Sequence, residues 1–396
     1  MIIRENIPIS TLTTMRLGGP ARFVIEVETL DDIPAAYDFA KSKNLPVFIL
    51  GGGANTIGHD EGFNGVIIIN RIKGIDIDNG QERLFEGPPE RGSARVSAPR
   101  PWQTAVGAEQ TEHLCSVSRR RPADDLRSRR AEATQPEKSL SDQSPITAMG
   151  GEIWDDVVAF ACERGLTGIE GLSKIPGLAA AAPVQNIGAY GQEVADTLVS
   201  LEAYDTKTNQ FVTLTKDDLH FSYRHSILNT TEKGRYFVIS ITLVLKPGQM
   251  ERPFYNSIEQ YIEKHQCTDF SPQGIREIVS TIRADKLPDP ADKASSGSFF
   301  KNIYLNEEEA RLAEEKGYPV YHGHDGFKIN SGWLIEEAGL KGKLLHGMRV
   351  SDKAALVLIN ESATSYADLA AARAEIIDKI NQKFGYQLEQ EPVEIL

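Results

Sequence analysis

Hydrophobic and polar positions at the start of the chain alternate between two periods. Arg22-Phe-Val-Ile-Glu-Val27 reads as a strand, and Asp31–Lys43 sets Ile33, Ala36, Tyr37 and Ala40 at i, i+3, i+4 and i+7, a helical spacing with Pro34 tolerable in a first turn. Leu45–Leu50 is a continuously apolar strand, so the pattern predicts a strand–helix–strand unit with a buried parallel pair. Gly51-Gly52-Gly53-Ala54-Asn55 follows. Thr56–Phe63 is turn-like, and Gly65–Asn70 is again a strand. Further on, Tyr236–Leu245 predicts a long strand closed by the turn Lys246-Pro-Gly. Near the C-terminus Ser365-x-x-Asp368 resembles a capping box, with Leu369, Ile376, Ile377, Ile380 and Phe384 on one helical face. Gly385 stops that helix, and Tyr386–Ile395 reads as a strand.

These elements account for most of the 396 residues but leave one stretch without a period. Between Gly87 and Pro145 ten basic residues, nine of them Arg, face eight acidic ones, a local net of +2 within a chain of net −13, so the remainder carries −15. The stretch reads as loop or disorder: a basic tether for RNA, phosphate or a partner, a solvated insertion with no role, or sequence foreign to the original reading frame. At 40 % hydrophobic and 25 % charged residues the chain is globular, and its length suggests two or three domains. The acidic balance disfavours a nucleic-acid binder, while still allowing an anionic ligand in a local basic pocket. No apolar run reaches the length of a membrane span and no signal-peptide order opens the chain, so a cytoplasmic protein without membrane contact is expected. Cys115, Cys162 and Cys267 are too scattered for a disulfide framework or a cysteine metal site. His322-Gly-His324-Asp325 reads as a solvated turn, and no metal is expected.

The candidate chemistry lies in two glycine-rich stretches. Three contiguous glycines after a strand let backbone N–H groups converge on a phosphate or pyrophosphate, although a tight turn without a ligand fits as well. The run Gly165–Gly191 contains almost nothing bulky. It suits backbone packed on a flat or extended ligand, with Gln185 and Asn186 free to bond ring edges, or equally a helix packed closely on a sheet.

Gly-Gly-Gly-Ala-Asn, Gly-Leu-Thr-Gly-Ile-Glu-Gly-Leu, Ile-Pro-Gly with Ala-Ala-Pro-Val-Gln-Asn-Ile-Gly-Ala-Tyr-Gly, and Tyr223-Arg224-x-Ser226 occur in that order. Lys286-Leu-Pro-Asp-Pro290, Gly297-Ser298-Phe-Phe-Lys-Asn302 and Leu388-Glu-Gln-Glu391 complete the series. The set resembles the UDP-N-acetylenolpyruvoylglucosamine reductase family, from about residue 5 to the C-terminus apart from 87–145. The resemblance implies an α+β protein: a two-part FAD-binding fold of the vanillyl-alcohol-oxidase (PCMH) type plus a smaller α+β substrate-binding domain. It places the first FAD subdomain at 1–70 with 386–396 returning to it, and the second at 71–250, interrupted by 87–145. A connecting segment with a substrate loop covers 251–285, and the substrate domain 286–385. A monomer is expected.

The resemblance further implies FAD as cofactor, NADPH as hydride donor and a UDP-sugar enolpyruvyl ether as substrate. Gly51, Gly52, Gly53, Ala54, Asn55, Gly177, Gln185, Asn186 and Gly188 match cofactor contacts. Ser298 matches the family's proton donor, and Arg224 and Glu391 match its two assisting residues. Lys286, Asn302 and Tyr255 match groups that grip the UDP diphosphate, with Arg283 a further candidate. Hydride delivered to one vinyl carbon leaves enolate character on the other, which needs a cation and a proton. Glu391 would therefore have to be raised in pKa and protonated, or act through a water. The chain departs from the family at Ala54, Ala180 and His225, and the added methyl of Ala180 is expected to weaken or shift FAD binding. Another flavin oxidase on the same scaffold, or a non-catalytic flavin binder, is the alternative.

Overall fold

The computed structural model describes residues 1–77, 144–323 and 326–396. The first sheet contains β1 (Ile2–Pro8), β2 (Pro20–Val27), β3 (Val47–Leu50) and β5 (Phe63–Asn70) in the order β1-β2-β5-β3. Helix α1 (Asp32–Ser42) follows β2 and buries Ile33, Ala36 and Ala40, as its spacing predicts. β2 and β3 are both parallel to β5, which lies between them, so the predicted pair is not adjacent. β5 can take the central place because every residue from Gly65 to Asn70 is buried. The expected turn after the glycines also holds a short strand, β4 (Thr56–Gly58).

The second sheet has the order β9-β8-β10-β7-β6, from β6 (Ile75–Ile77), β7 (Ser144–Met149), β8 (Leu198–Asp205), β9 (Gln210–Thr215) and β10 (Tyr236–Pro247). Ser144 and Pro145, assigned above to the unpatterned stretch, pair with Leu245 and Val244 and belong to β7. The rest of that assignment lies outside the described residues. Lys246 and Pro247, read as a turn, still pair with Thr167 and Leu166, so β10 runs further than its apolar stretch. Helix α2 (Trp154–Cys162) packs Trp154, Val157, Val158 and Ala161 on this sheet with Leu201, Ile241 and Leu243. Phe23, Ile25 and Val66 of the first sheet share a core with Tyr204, Phe237 and Ile239 of the second, which locks the two sheets together.

Helices α3 (Asn256–His265) and α4 (Pro272–Lys286) form a small apolar unit around Ile258, Ile275 and Val279. Beyond them β11 (Ser295–Ser298) pairs with the strand Val357–Asn360, and helix Tyr366–Phe384 buries Leu369, Ala372, Ile376 and Ile380 beneath it. Ser365 Oγ accepts from Asp368 N at 3.1 Å, Asp368 accepts from Ser365 N at 3.1 Å, and Gly385 ends the helix at φ 78°, as expected. Met15, Leu17 and Ile57 from the N-terminal region enter this same core. The last segment is strand only over Val393–Ile395, which runs parallel to β4; Gln390 bridges separately to Phe300. The segment divides between two partners, so a continuous strand cannot form.

Candidate active site

Strand β3 ends at Leu50 and releases the glycine turn. Gly53 sits at φ +70°, where a Cβ would come 2.0 Å from Leu12 O, and a Cβ on Gly52 would come 2.8 Å from Gly177 Cα. Gly51 faces the methyl of Ala181 in the same way, at 2.9 Å. The triplet therefore lets the turn approach the Leu12 and Gly177 backbones closely. Its carbonyls are used internally: Gly53 O accepts from Thr14 N at 3.0 Å and Asn55 O from Val393 N at 2.9 Å. Among the described residues none accepts from the N–H of Gly52, Gly53 or Ala54. A row of free amides on a turn pressed against Leu12, Gly177 and Ala181 suits the FAD pyrophosphate.

The opposite wall is the small-residue run. Gly177, at φ +132°, has open space where a Cβ would project. Ala180 donates its N–H to Gly150 O at 3.1 Å and packs on the second sheet's core, with its methyl 2.9 Å from where a Gly150 Cβ would stand. The departure at Ala180 is thus turned toward Gly150. Gln185 Oε1 accepts from Asn55 Nδ2 at 2.6 Å, joining the two walls. Asn186 is buried at φ +45°, and its amide is committed to Glu193, Ser222 O and Ala195 N. Its carbonyl, with that of Gly188, instead receives Arg224: Nη1 to Asn186 O at 3.4 Å and Nη2 to Gly188 O at 2.8 Å.

Arg224 Nε donates to Glu391 Oε1 at 3.1 Å. Asp218, six residues earlier, caps its own turn through Thr215. Gln185 Nε2 also reaches Glu391 Oε1, at 3.5 Å, and Asn55 Nδ2 reaches Glu391 O at 3.5 Å. Four segments spread over 336 positions thus meet at Glu391, Arg224 and Gln185 at its carboxyl group and Asn55 at its backbone carbonyl. Burial pushes Glu391 above the usual carboxylate range, and the opposing pull of Arg224 and Lys301 does not cancel it. The backbone explains the convergence. Glu391 N donates to Phe299 O and Lys301 N to Glu389 O, both at 2.9 Å, which sets Glu391 across from the residue after Ser298. Ser298 itself is exposed at the end of β11, after Gly297 at φ +69°.

Asn302 holds the next stretch in place: its Oδ1 accepts from Ser331 N at 3.2 Å, and it hydrogen-bonds Tyr223 beside Arg224. Tyr255 precedes α3 and meets Tyr190 edge-on at 5.8 Å. Tyr190 hydrogen-bonds Arg283, whose guanidinium is held below its ordinary pKa by burial. Lys286 lies one turn further along α4, exposed. A cationic and aromatic group thus begins two residues beyond Gly188. Sequence reasoning missed Tyr190, the one aromatic side chain in the run Gly165–Gly191, and Lys301. Among the described residues no three His, Cys, Asp or Glu side chains form a metal site. His322 pairs with Glu314 at 2.8 Å, while His324 and Asp325 lie outside the described residues.

Two family models match the chain, an FAD binding domain over residues 21–103 and the UDP-N-acetylenolpyruvoylglucosamine reductase C-terminal domain over 289–395. A UDP-N-acetylenolpyruvoylglucosamine reductase from Ralstonia nicotianae is 31 % identical over 397 residues, covering 100 % of this chain and 99 % of the relative. The chain belongs to the UDP-N-acetylenolpyruvoylglucosamine reductase family. A reductase of that name from Neisseria gonorrhoeae is 38 % identical over 251 residues, 62 % of this chain and 72 % of the relative. The crystal structure of the reductase from Thermus caldophilus shares the fold, with a TM-score of 0.57 at 20 % identity and full coverage of both chains. The chain is accordingly an α+β, FAD-dependent oxidoreductase of the reductase family. Among the described residues no helix is long and apolar enough to cross a membrane.

Proposed function

We propose that the cluster of Arg224, Glu391 and Ser298 performs the proton and charge chemistry of the family's reaction. The chain reduces the enolpyruvyl ether of UDP-N-acetylglucosamine enolpyruvate to UDP-N-acetylmuramate, with NADPH as donor, in peptidoglycan synthesis. FAD, when bound, supplies the hydride to the alkene. Gly51, Gly52, Gly53 and Ala54 would hold its pyrophosphate, with Asn55, Gln185, Gly177 and the Asn186–Gly188 backbone along its length.

Hydride addition at one vinyl carbon places negative charge next to the substrate carboxylate. Arg224 presents a planar cation there, fixed by two carbonyls and one carboxyl so that little reorganisation is needed. Ser298 Oγ–H gives its proton to the carbanion, completing the C–H bond, and solvent restores the hydroxyl. Glu391, raised by burial, keeps a protonated fraction at higher pH than a solvated carboxyl and supports that transfer. Tyr255, Arg283, Lys286 and Asn302 would bind the UDP diphosphate: Tyr255 and Arg283 both meet Tyr190, and Asn302 bonds Tyr223 beside Arg224. The substrate domain would then comprise 286–385, closing on an FAD-binding body formed by 1–250 and the returning C-terminal strand.

The observation that carries this reading is a buried, pKa-raised carboxyl held by arginine one ladder position from Ser298. Anaerobic enzyme reduced with NADPH should regain its oxidised flavin spectrum on adding UDP-N-acetylglucosamine enolpyruvate. Spectra that stay reduced would refute the assignment.

A further inference from the structure

Glu391 lies where the chain crosses from Phe299 to Asn55, with one backbone bond on each side setting its register. A side-chain cluster three residues further on reinforces that register. Glu394 Oε1 accepts from Tyr366 Oη at 3.0 Å, from Arg373 Nη1 at 2.5 Å and from Gln390 Nε2 at 3.2 Å, while Oε2 meets His59 Nε2 at 3.0 Å. The His59 and Tyr366 rings stack with centroids 3.6 Å apart. Asp60, next to His59, accepts the first N–H of helix Tyr366–Phe384 from Tyr366 at 2.7 Å and also that of Ala367. Three elements are thus tied to one carboxylate: the end of β4, which continues from the glycine turn; the long helix of the C-terminal core; and the strand that carries Glu391.

We infer that the Glu394–Arg373–His59–Tyr366 cluster is a clasp that registers the C-terminal strand, so that Glu391 meets Arg224 and the Ser298 strand in the geometry the reduction needs. Its members are positioning residues and none lies among the groups assigned to substrate or cofactor. Burial alone would raise Glu394, but the bonds from His59, Arg373, Gln390 and Tyr366 bring it down to about 2, so this carboxylate is ionised at neutral pH. With each of its oxygens bonded and its Arg373 partner about three-quarters covered, the pair resists solvent competition better than a surface bridge. A shift of about 1 Å at a reacting group can cost about a hundredfold in rate, so a clasp remote from the chemistry can control it.

This inference rests on the proposed role of Glu391, and the test separates the two. Stopped-flow measurement of both half-reactions is made on Glu391→Gln, Glu394→Gln, Arg373→Met, Tyr366→Phe and the Glu391→Gln/Glu394→Gln double variant. Glu394→Gln and Arg373→Met should slow substrate-driven flavin reoxidation about ten- to a hundredfold, with flavin reduction by NADPH and the substrate KM within about threefold. Tyr366→Phe, which keeps the stacked ring and folds readily, should lose about threefold. Because the clasp acts through Glu391, adding Glu394→Gln to Glu391→Gln should cost less than about a further twofold. Undiminished reoxidation in Glu394→Gln, equal losses in both half-reactions, or multiplicative losses in the double variant would overturn the clasp alone, provided Glu391→Gln is slow. If Glu391→Gln reoxidises at the wild-type rate, the role of Glu391 fails and the clasp fails with it.

Discussion

Replacing Gly53 with alanine is expected to damage the protein at the point where the cofactor turn meets the N-terminal segment. Two costs add. An L-residue at φ +70° loses about 1–2 kcal/mol relative to glycine. The new Cβ would also lie 2.0 Å from Leu12 O and 3.0 Å from Thr13 Cα. The obstruction is backbone, so the turn or the Ile9–Thr13 stretch must move by about 1 Å, which overpacking data place at about 1–3 kcal/mol. The sum, about 2–5 kcal/mol, corresponds to a fall in Tm on the order of 5–15 °C for a domain of this size. The movement also strains the bond from Thr14 N to Gly53 O and displaces Asn55, so flavin should be lost more readily. Gly165→Ala is the control: its φ of +67° is equally unfavourable for alanine, but no atom lies within 4 Å of the new methyl. Thermal unfolding of flavin-free protein, followed by fluorescence titration with FAD, should rank Gly53→Ala well below Gly165→Ala in stability. Equal Tm values, or a Gly53→Ala protein within about 2 °C of wild type, would refute the claim that close backbone approach dictates glycine there.

The other predictions concern charge and the departures from the family. Asp155 accepts a two-pronged bond from Arg276 at 2.6 and 2.9 Å and pairs with Lys174; although burial opposes it, these bonds hold its carboxyl well below the usual range. A lowered native pKa stabilises the fold above the unfolded value near 4 and loses that contribution as pH falls further. Asp155→Asn should therefore cost about 2–3 kcal/mol at pH 7, with a gap to wild type that narrows below about pH 4 in urea titrations. Glu391 has the opposite sign: a raised carboxyl favours folding least once it ionises. The Tm of wild type relative to Glu391→Gln should thus be highest in acid and fall as pH rises from about 4 toward neutrality, and a flat difference would contradict the raised pKa. Ala180→Gly removes a methyl that faces Gly150, so calorimetric titration should show FAD affinity within about threefold of wild type and a stability loss of about 1 kcal/mol. A large gain in affinity would place that methyl in the cofactor's space after all.

How far the sequence could be read depended on whether a feature was local. Ile33, Ala36 and Ala40 marked one helical face, and the Ser365–Asp368 cap and Gly385 marked both ends of another; each is decided within a few residues, and each appears in the structure. The insertion of β5 between β2 and β3 depends on which strands meet, which local periodicity does not encode. Thr56–Gly58 looked like a turn because its partner is Val393–Ile395, at the far end of the chain. Motif order brought Arg224, Ser298 and Glu391 onto one list, but only the backbone bond between Glu391 and Phe299 explains why they converge. Asn186 was legible as a residue type suited to ring edges, but its left-handed φ and the bonds of its side-chain amide to Glu193 and Ala195 N depend on a turn that residue type does not encode. The Glu394 clasp left no sequence signal, since His59, Tyr366, Arg373 and Glu394 share no motif and are assembled by tertiary packing alone.

The most direct test of the central claim is the rate at which UDP-N-acetylglucosamine enolpyruvate reoxidises NADPH-reduced flavin in Ser298→Ala, measured anaerobically by stopped flow. The account predicts a rate lower by about two to four orders of magnitude than wild type, with flavin reduction by NADPH nearly unchanged. Reoxidation at the wild-type rate, or equal slowing of both half-reactions, would contradict the assignment of proton delivery to Ser298.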